Sequence, residues 1–412
     1  MLRLAYPDIK FQDVSGSLKK VINSGWLTKG PKTEEFERAS RRYLKVKEAI
    51  AVSSGTAALH LSLLSLGIGA GDEVVVPDFT FPAAANAVEL CGAKAVLTDV
   101  ERNDLNISPK KIVEKITHKT RAIIVVHQFG NPAEMDQVMR IAKKNNLRVI
   151  EDAACAFGAK YRDSMCGSLG DFGCFSFHPR KIISTGEGGL VTTNDASLAK
   201  RCRRLREHGI EQAGSKRVFT SLGFNYRISE IASVIGLAQL SEIERIIAKR
   251  ILLAGKFREI LSAVEGIDVI PKDPDKENRG VYQSFIIAVK KELNIFDLIS
   301  FLKSRNIEAA IANIAIHREP YYARKYNLNK SDFGNSSWAY EHCAALPFHT
   351  RMQSRDFKYI RRVLKDYLAT LVSKIRPYAP TAKLHTRFDS GNPPHPTLSP
   401  SGERKKVRGK LR

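Results

Sequence analysis

The sequence predicts an α/β protein built around a mostly parallel β-sheet that is covered by helices. Between residues 45 and 195, short apolar and β-branched runs alternate with segments of helical periodicity, a pattern typical of parallel sheets. The predicted strands are residues 49–52, 73–77, 95–99, 122–127, 148–152, 172–177 and 189–193. The segments 57–66, 83–90 and 135–145 have helical patterns. Ligands of such sheets bind at the carboxyl ends of the strands.

The second half of the chain predicts a smaller α+β domain. Residues 222–260 have a mainly helical pattern, and a mixture of strand-like and helical segments follows at 281–289, 295–305 and 355–374. We therefore expect a large domain with an N-terminal segment (1–245), a small C-terminal domain (246–376) and a basic tail (377–412). The tail holds six of the 17 prolines, and its composition predicts disorder.

The charge of the chain is strongly positive but dispersed. The net charge is +23, and the tail contributes eight Lys/Arg against two Asp/Glu, so residues 1–376 carry +17. No helix-turn-helix, zinc-finger or RNA-binding motif accompanies this charge, which argues against a nucleic-acid partner. The excess is either a solvated basic surface or a means of attracting a polyanionic small substrate.

Hydropathy and cysteine spacing favour a cytoplasmic protein with no membrane and no metal. The longest apolar runs, such as 122–126, are strand-sized, and the N-terminus MLRLAYPDIK has no signal-peptide hydrophobic region. The six cysteines are scattered without a C-x-x-C pair, so the sequence indicates neither a zinc site nor a disulfide framework.

The stretch CFSFHPRKIISTGEGGLVTTND places Lys181 between two strand-like runs. A lysine near the end of a buried strand would be partly desolvated, which favours the neutral amine that attacks carbonyl groups. The glycines at 186, 188 and 189 would allow close approach of the backbone. The alternative interpretation is an ordinary surface-loop lysine.

Two further segments suggest anion and cation partners. In SSGTAALHL, small hydroxylated residues follow a strand and open a helix, which suits either a phosphate site or simple N-capping by Ser54 or Thr56. In VIEDAACAFGA, Glu151 and Asp152 fall where a buried strand ends. A carboxylate there would stay ionised only with a cationic or hydrogen-bond-donor partner, such as a pyridinium nitrogen, unless it caps a following helix.

A phosphate cradle, an acidic residue at a strand end and a lysine in an aromatic setting together describe a pyridoxal phosphate site. The motifs SGWLTKGP, SSGTAALHL, GDEVVVPDFTF, VIEDAA, GCFSFHPRK, TGEGGLVTTND and LGFNYRISEI occur in that order. They resemble the successive motifs of the nucleotide-sugar aminotransferase (DegT-type) family of fold type I enzymes. The resemblance covers about residues 10–370.

The resemblance implies a role for each matching residue. Lys181 would bind pyridoxal 5'-phosphate covalently and act as general base, and Asp152 would pair with the ring nitrogen. The residues implied for cofactor binding are Gly55, Thr56, Ala57, Phe81, Asp152, Cys155, Ser176, Lys181, Asn225 and Arg227. The resemblance implies homodimers in which Asn225 or Arg227 reaches the neighbour's cofactor phosphate. Trp26, Thr28 and His317 would lie near the substrate.

The family usually carries glutamine or histidine after Glu-Asp-Ala-Ala, whereas this chain has Cys155. The predicted activity is transfer of an amino group, from glutamate, to a nucleotide-linked keto sugar. The alternatives are amination of a free keto-cyclitol, a noncatalytic cofactor-dependent regulator, and a sugar 3-dehydratase. The last resembles this family but has histidine in place of the lysine, so Lys181 argues against it.

Overall fold

The computed structural model describes residues 1–290 and 293–375 of the chain; the predicted tail at 377–412 lies outside them. The helices in the first 245 residues are α1 (Phe11–Ser24), α2 (Pro31–Leu44), α3 (Gly55–Ser65), α4 (Ala83–Leu90), α5 (Pro109–Lys115), α6 (Met135–Lys144), α7 (Ala196–Arg206) and α8 (Glu230–Leu240). The helices that follow are α9 (Ile243–Ser262), α10 (Ile295–Ser304), α11 (Pro320–Tyr326), α12 (Gly334–His342) and α13 (Ser354–Ile375).

The strands of residues 1–290 and 293–375 fall into four sheets. Those of the large sheet are β1 (Glu48–Val52), β2 (Glu73–Pro77), β3 (Lys94–Thr98), β4 (Thr120–Val126), β5 (Arg148–Asp152), β8 (Phe172–Ser176) and β9 (Gly189–Thr193). Two short pairs are β6 (Lys160–Tyr161) with β7 (Ser164–Met165), and β10 (Ile210–Ala213) with β11 (Lys216–Phe219). The fourth sheet contains β12 (Ile267–Ile270), β13 (Phe285–Val289), β14 (Ala310–Ile311) and β15 (Cys343–Leu346).

The large sheet is mostly parallel, as the sequence predicts. Its strand order is β1-β9-β8-β5-β4-β2-β3, and within it only β9 runs against its neighbours. Strand β2 is fully buried along its length, because apolar clusters cover both faces of the sheet. A strand that is buried on both faces has a continuous run of apolar residues. For this reason the segment EVVVP could be predicted from the sequence to be a strand. The carboxyl ends of the parallel strands therefore lie along one edge of the sheet.

The smaller sheet is antiparallel, with the order β12-β13-β15-β14. Helix α9 contributes Phe257 to a stack with Phe285 of β13, at 4.3 Å between ring centroids. This agrees with the predicted α+β pattern of the second half. By internal contacts, residues 1–369 form one compact unit, and the domain division at residue 245 stays a prediction.

One detail differs from the sequence-based expectation. The segment 222–229 was expected to be helical, but α8 begins only after Ser229, whose side chain accepts a hydrogen bond from the Ala232 N–H. Residues before it are extended, and Ser53 N donates to Tyr226 O at 2.8 Å. An extended segment that hydrogen-bonds to a neighbouring strand end cannot also form the internal bonds of a helix. Within the described residues no helix has the length and apolar character needed to cross a membrane.

Candidate active site

Lys181 lies in the loop that joins β8 to β9, at the edge where the parallel strands end. Its backbone N–H donates to His178 O at 2.9 Å, and its side chain is half-buried. Its Nζ lies 3.2 Å from Sγ of Cys155, in the turn after β5. The structure therefore places this lysine against the end of the neighbouring strand rather than on an isolated surface loop.

Asp152 is the last residue of β5 and points to the same edge. It is 7 % exposed, and Oδ1 accepts a hydrogen bond from Ala154 N at 3.1 Å. No other residue in the part of the chain that the structure describes donates to Oδ2. Burial raises the pKa of Asp152, while the Ala154 N–H and the positive charge of Lys181 oppose that rise. No helix begins after Asp152, so it does not cap one.

Glu151, the residue before Asp152, has a separate task that sequence reasoning missed. It is fully buried, and Oε1 and Oε2 accept hydrogen bonds from Gly167 N, Leu169 N and Gly170 N at 2.7 Å each. His127, after the adjacent β4, donates from Nε2 to Glu151 Oε2 at 2.9 Å. Successive residues of a strand point to opposite faces. The adjacent Glu-Asp pair therefore places its two buried carboxylates on opposite faces of the sheet.

The predicted phosphate cradle forms where β1 turns into α3. Ser54 is the N-cap, and its side chain accepts a hydrogen bond from Ala57 N at 3.1 Å, so the capping interpretation is correct for Ser54. The N–H groups of Gly55 and Thr56 belong to the first helical turn, where an α-helix has no internal partner for them. Capping and anion binding use different donors, so both can operate here.

The cradle packs directly on β8 and β9. A Cβ added to Gly55 would come within 2.9 Å of Ser176 Cβ, and one added to Gly189 within 2.3 Å of Ser54 O. The backbone of Gly189 therefore lies directly against the backbone of Ser54, at the start of the predicted phosphate cradle. The structure thus brings Gly55, Thr56 and Ser176 together, as the sequence predicts.

Arg227 and Asn225 lie beside this cradle within the same chain. Residue Arg227 forms an isolated β-bridge with Val52, and its Nη2 donates to Asn225 Oδ1 at 2.8 Å. The same Nη2 lies 3.3 Å from His208 Nε2. Contact of these two side chains with a neighbouring subunit stays a prediction.

The aromatic residues predicted near the ligands are solvent-facing. Phe81, after β2, is 68 % exposed, and Trp26 is 57 % exposed with Nε1 donating to Lys29 O at 3.1 Å. Thr28 is also exposed. Exposed large aromatic side chains at the open edge of a sheet are available to contact a ligand or another chain.

A buried glutamate anchors the N-terminal segment that carries Trp26 and Thr28. Glu230 Oε1 accepts hydrogen bonds from Gly30 N at 3.0 Å and Thr33 N at 2.7 Å, and Oε2 accepts one from Lys32 N at 2.7 Å. These donors form the amino end of α2, where a carboxylate is electrostatically favoured. Sequence reasoning missed this contact because it joins residues about 200 positions apart.

His317 is buried rather than open to a ligand. Its Nδ1 lies 2.6 Å from Asp78 Oδ2, and its Nε2 lies 3.0 Å from Ser337 Oγ. Both ring nitrogens are therefore occupied by side chains of the protein. Direct contact of His317 with a substrate stays a prediction.

The residues at the strand ends fit pyridoxal phosphate. The Asp152 carboxylate keeps one oxygen without a protein donor on the edge where Lys181 carries an amine, which suits a ring that is both cationic and reactive toward amines. The first turn of α3 offers backbone N–H groups to a phosphate. These requirements are met by residues that follow β1 and β8 and by the last residue of β5, all at the carboxyl ends of these strands.

Known proteins are similar to this chain in both sequence and fold. The chain is 40 % identical over 305 residues to the GDP-perosamine synthase of Caulobacter vibrioides, covering 73 % of this chain and 82 % of the relative. It is 36 % identical over 381 residues to the UDP-4-amino-4-deoxy-L-arabinose–oxoglutarate aminotransferase of Shewanella sediminis, covering 89 % and 97 %.

Solved structures give the same result. The aminotransferase TlmJ from Streptoalloteichus hindustanus matches with a TM-score of 0.84 and 28 % identity, over 90 % of this chain and all of that one. PseC of Helicobacter pylori, an aminotransferase involved in pseudoaminic acid biosynthesis, matches with a TM-score of 0.84 and 25 % identity, over 90 % and 99 %. The fold is therefore that of the fold type I aminotransferases, as predicted.

The model of the DegT/DnrJ/EryC1/StrS aminotransferase family matches residues 10–365. This span includes every strand of the large sheet and both Asp152 and Lys181. The resemblance drawn from the motifs is confirmed. The chain belongs to the DegT/DnrJ/EryC1/StrS family and is a pyridoxal phosphate-dependent aminotransferase.

Proposed function

We propose that this enzyme transfers an amino group from glutamate to a keto sugar linked to a nucleoside diphosphate. The observation that carries the proposal is that the Lys181 amine and the Asp152 carboxylate lie at the same sheet edge, where Lys181 contacts the turn that follows Asp152. Relatives named for GDP- and UDP-linked sugars support the substrate class. The charge of +17 on residues 1–376 supports an anionic substrate.

In this proposal Lys181 Nζ holds the cofactor between turnovers and then moves a proton. Once displaced by the amine of the donor, Nζ would act as the general base that moves the proton of the donor carbon. When bound, pyridoxal phosphate would supply a ring that stabilises negative charge on the substrate carbon. The Asp152 carboxylate would favour a protonated ring nitrogen, and the same residues would serve the amination of the keto sugar.

The remaining residues bind and orient. The N–H groups of Gly55 and Thr56 and the hydroxyls of Thr56 and Ser176 would hold the phosphate, with Ala57 in the same first turn of α3. Phe81 would stack on the ring, since its side chain is exposed at the same edge. The side chains proposed to contact the sugar are Trp26, Thr28 and His317.

We propose further that the enzyme works as a cytoplasmic homodimer. Large apolar side chains are exposed in the N-terminal segment, after β2 and around the β10–β11 hairpin. They are Trp26, Leu27, Phe81, Phe219 and Leu222. Exposed apolar side chains on several neighbouring motifs favour burial against another chain. Asn225 and Arg227, beside the cradle, would then complete the neighbour's phosphate site.

The test compares one keto sugar with and without its nucleoside diphosphate, at low and high salt, with glutamate as donor. We expect a nucleoside-diphosphate 4-keto-6-deoxyhexose to be a good substrate and the free sugar a poor one. The apparent association rate should fall with salt, since the Debye length shrinks from about 10 Å at 0.1 M to about 3 Å at 1 M. Equal catalytic efficiency for the two forms would favour a free keto-cyclitol or similar ketone instead. Cofactor binding without any amino transfer would favour the regulator.

A further inference from the structure

Three polar side chains form a continuous hydrogen-bonded chain between the loop after β2 and α12. Asp78 Oδ2 lies 2.6 Å from His317 Nδ1, and Asp78 Oδ1 accepts the backbone N–H of His317 at 2.7 Å. On the opposite side of the ring, Nε2 lies 3.0 Å from Ser337 Oγ. Asp78 and His317 are 0 % and 2 % exposed. Buried polar groups satisfied on every side define a single arrangement.

The arrangement leaves the His317 ring no freedom to rotate. Asp78 accepts from both the backbone and the ring of the same residue, so Nδ1 carries a proton. The ring of Phe333 stacks on the imidazole at 4.7 Å between centroids with 10° between planes. Burial raises the pKa of Asp78, while its hydrogen bonds to His317 oppose that rise.

Backbone contacts beside His317 hold the loop that carries Phe81. Asp78 O accepts a hydrogen bond from Ile316 N at 2.9 Å, and Phe79 forms an isolated β-bridge with Ala315. Gln128, after β4, donates from its side chain to Phe79 O. Phe81 follows two residues later and is exposed at the open edge of the sheet. The position of Phe81 therefore depends on the segment that His317 anchors.

A second buried aspartate provides an internal comparison. Asp99 directly follows the next strand, β3, and is 6 % exposed. It accepts hydrogen bonds from Asn335 N at 2.9 Å and from Ser336 N and Oγ at 2.8 and 2.7 Å. Asp78 and Asp99 thus both bind the segment 316–337 at strand ends. Only Asp78 belongs to the loop that carries Phe81.

We propose that His317, oriented by Asp78 and Ser337, is a positioning residue that sets the Phe81 loop against the cofactor. This role of His317 is exerted through the loop and requires no contact with the sugar. The inference rests on the proposed placement of Phe81 against the cofactor ring, and it adds the residues that establish that placement.

Two amide substitutions at position 317 distinguish the role of Nδ1 from the role of Nε2. In His317→Asn the amide can place a donor near the position of Nδ1 and keep the bond to Asp78. In His317→Gln the amide reaches toward the position of Nε2, and the buried Asp78 carboxylate loses its hydrogen bond to the residue-317 side chain while keeping the one to Ser336. The readouts are the dissociation constant of pyridoxal phosphate and the visible circular dichroism of the bound cofactor, which reports its orientation.

We expect His317→Gln to raise the cofactor dissociation constant about tenfold or more and to reduce the visible signal, because a hydrogen bond to a buried charge is lost. His317→Asn should stay within about threefold of the parent. The matched control is Asp99→Asn, which disturbs α12 without touching the Phe81 loop. It should lower the melting temperature but leave the signal unchanged.

The proposal is overturned if His317→Gln lowers stability while cofactor affinity and signal stay at the parent values. It is also overturned if Asp99→Asn changes the signal as strongly as His317→Gln. If His317→Gln fails to fold, the variant Ser337→Ala takes its place. It removes the hydrogen bond to His317 Nε2 from the half-buried Ser337, and the same two readouts are compared with those of the parent. An unchanged signal and affinity in that variant would then count against the proposal. No sugar is present in these measurements, so a wrong substrate class would not affect them.

Discussion

Lys181 Nζ lies 3.2 Å from Cys155 Sγ, and the structure pairs this amine with no carboxylate among residues 1–290 and 293–375. The thiol of Cys155 therefore lies within hydrogen-bonding distance of an amine, and it is only partly buried. The other cysteines lack this combination. Cys91 is half-buried, and burial raises its pKa to about 12. Cys166, Cys174, Cys202 and Cys343 are buried.

The first prediction is that Cys155 is the most reactive thiol of the cofactor-free enzyme and that pyridoxal phosphate protects it. The cofactor would occupy Lys181 and cover the turn after β5. Iodoacetamide labelling followed by peptide mass spectrometry, with and without the cofactor, measures this. Cys91 is the internal control. Faster labelling of Cys91, or labelling of Cys155 that the cofactor does not slow, would contradict the prediction.

The second prediction concerns the covalent bond to the cofactor. Lys181→Ala should fold and still bind pyridoxal phosphate noncovalently, because the Asp152 carboxylate and the α3 cradle remain. Borohydride treatment should then leave no cofactor attached to the protein, whereas the parent should retain it. Lys160, which lies in β6 away from the strand ends, provides the matched Lys160→Ala control. Turnover of Lys181→Ala comparable to the parent would remove this lysine from the mechanism.

The third prediction addresses Asp152. Asp152→Asn keeps the shape of the side chain but removes the charge that holds a proton on the ring nitrogen. One pKa unit corresponds to about 1.4 kcal/mol, so the rate should fall about tens-fold or more. Single-turnover kinetics with glutamate measure the loss. A reduction of less than about threefold would mean that another residue pairs with the ring.

The fourth prediction tests whether subunits share their sites. If Arg227 completes the neighbour's phosphate site, subunits with Lys181→Ala and subunits with Arg227→Ala should each be inactive alone. Mixed dimers should recover part of the activity, because one of their two sites receives both intact residues. Mass spectrometry of the mixture verifies subunit exchange. An exchanged but inactive mixture would place Arg227 in the site of its own chain.

The sequence alone determined the large sheet and the chemistry at its edge. Apolar runs such as EVVVP are continuous because β2 is buried on both faces, and the end of each run marks the edge where ligands bind. Asp152 and Lys181 follow such runs, so their placement required only local pattern. The order of the motifs along the chain then indicated that the cofactor is pyridoxal phosphate.

Tertiary structure decided what the polar residues away from these runs do. Glu230 holds the amino end of α2 about 200 positions earlier in the chain, and His317 is enclosed by Asp78 and Ser337. Neither contact has a local signature, because a buried carboxylate or imidazole is specified by partners that only folding brings together. The sequence therefore identified His317 as a candidate for the site. Only the packed structure showed that both of its ring nitrogens are already used within the protein.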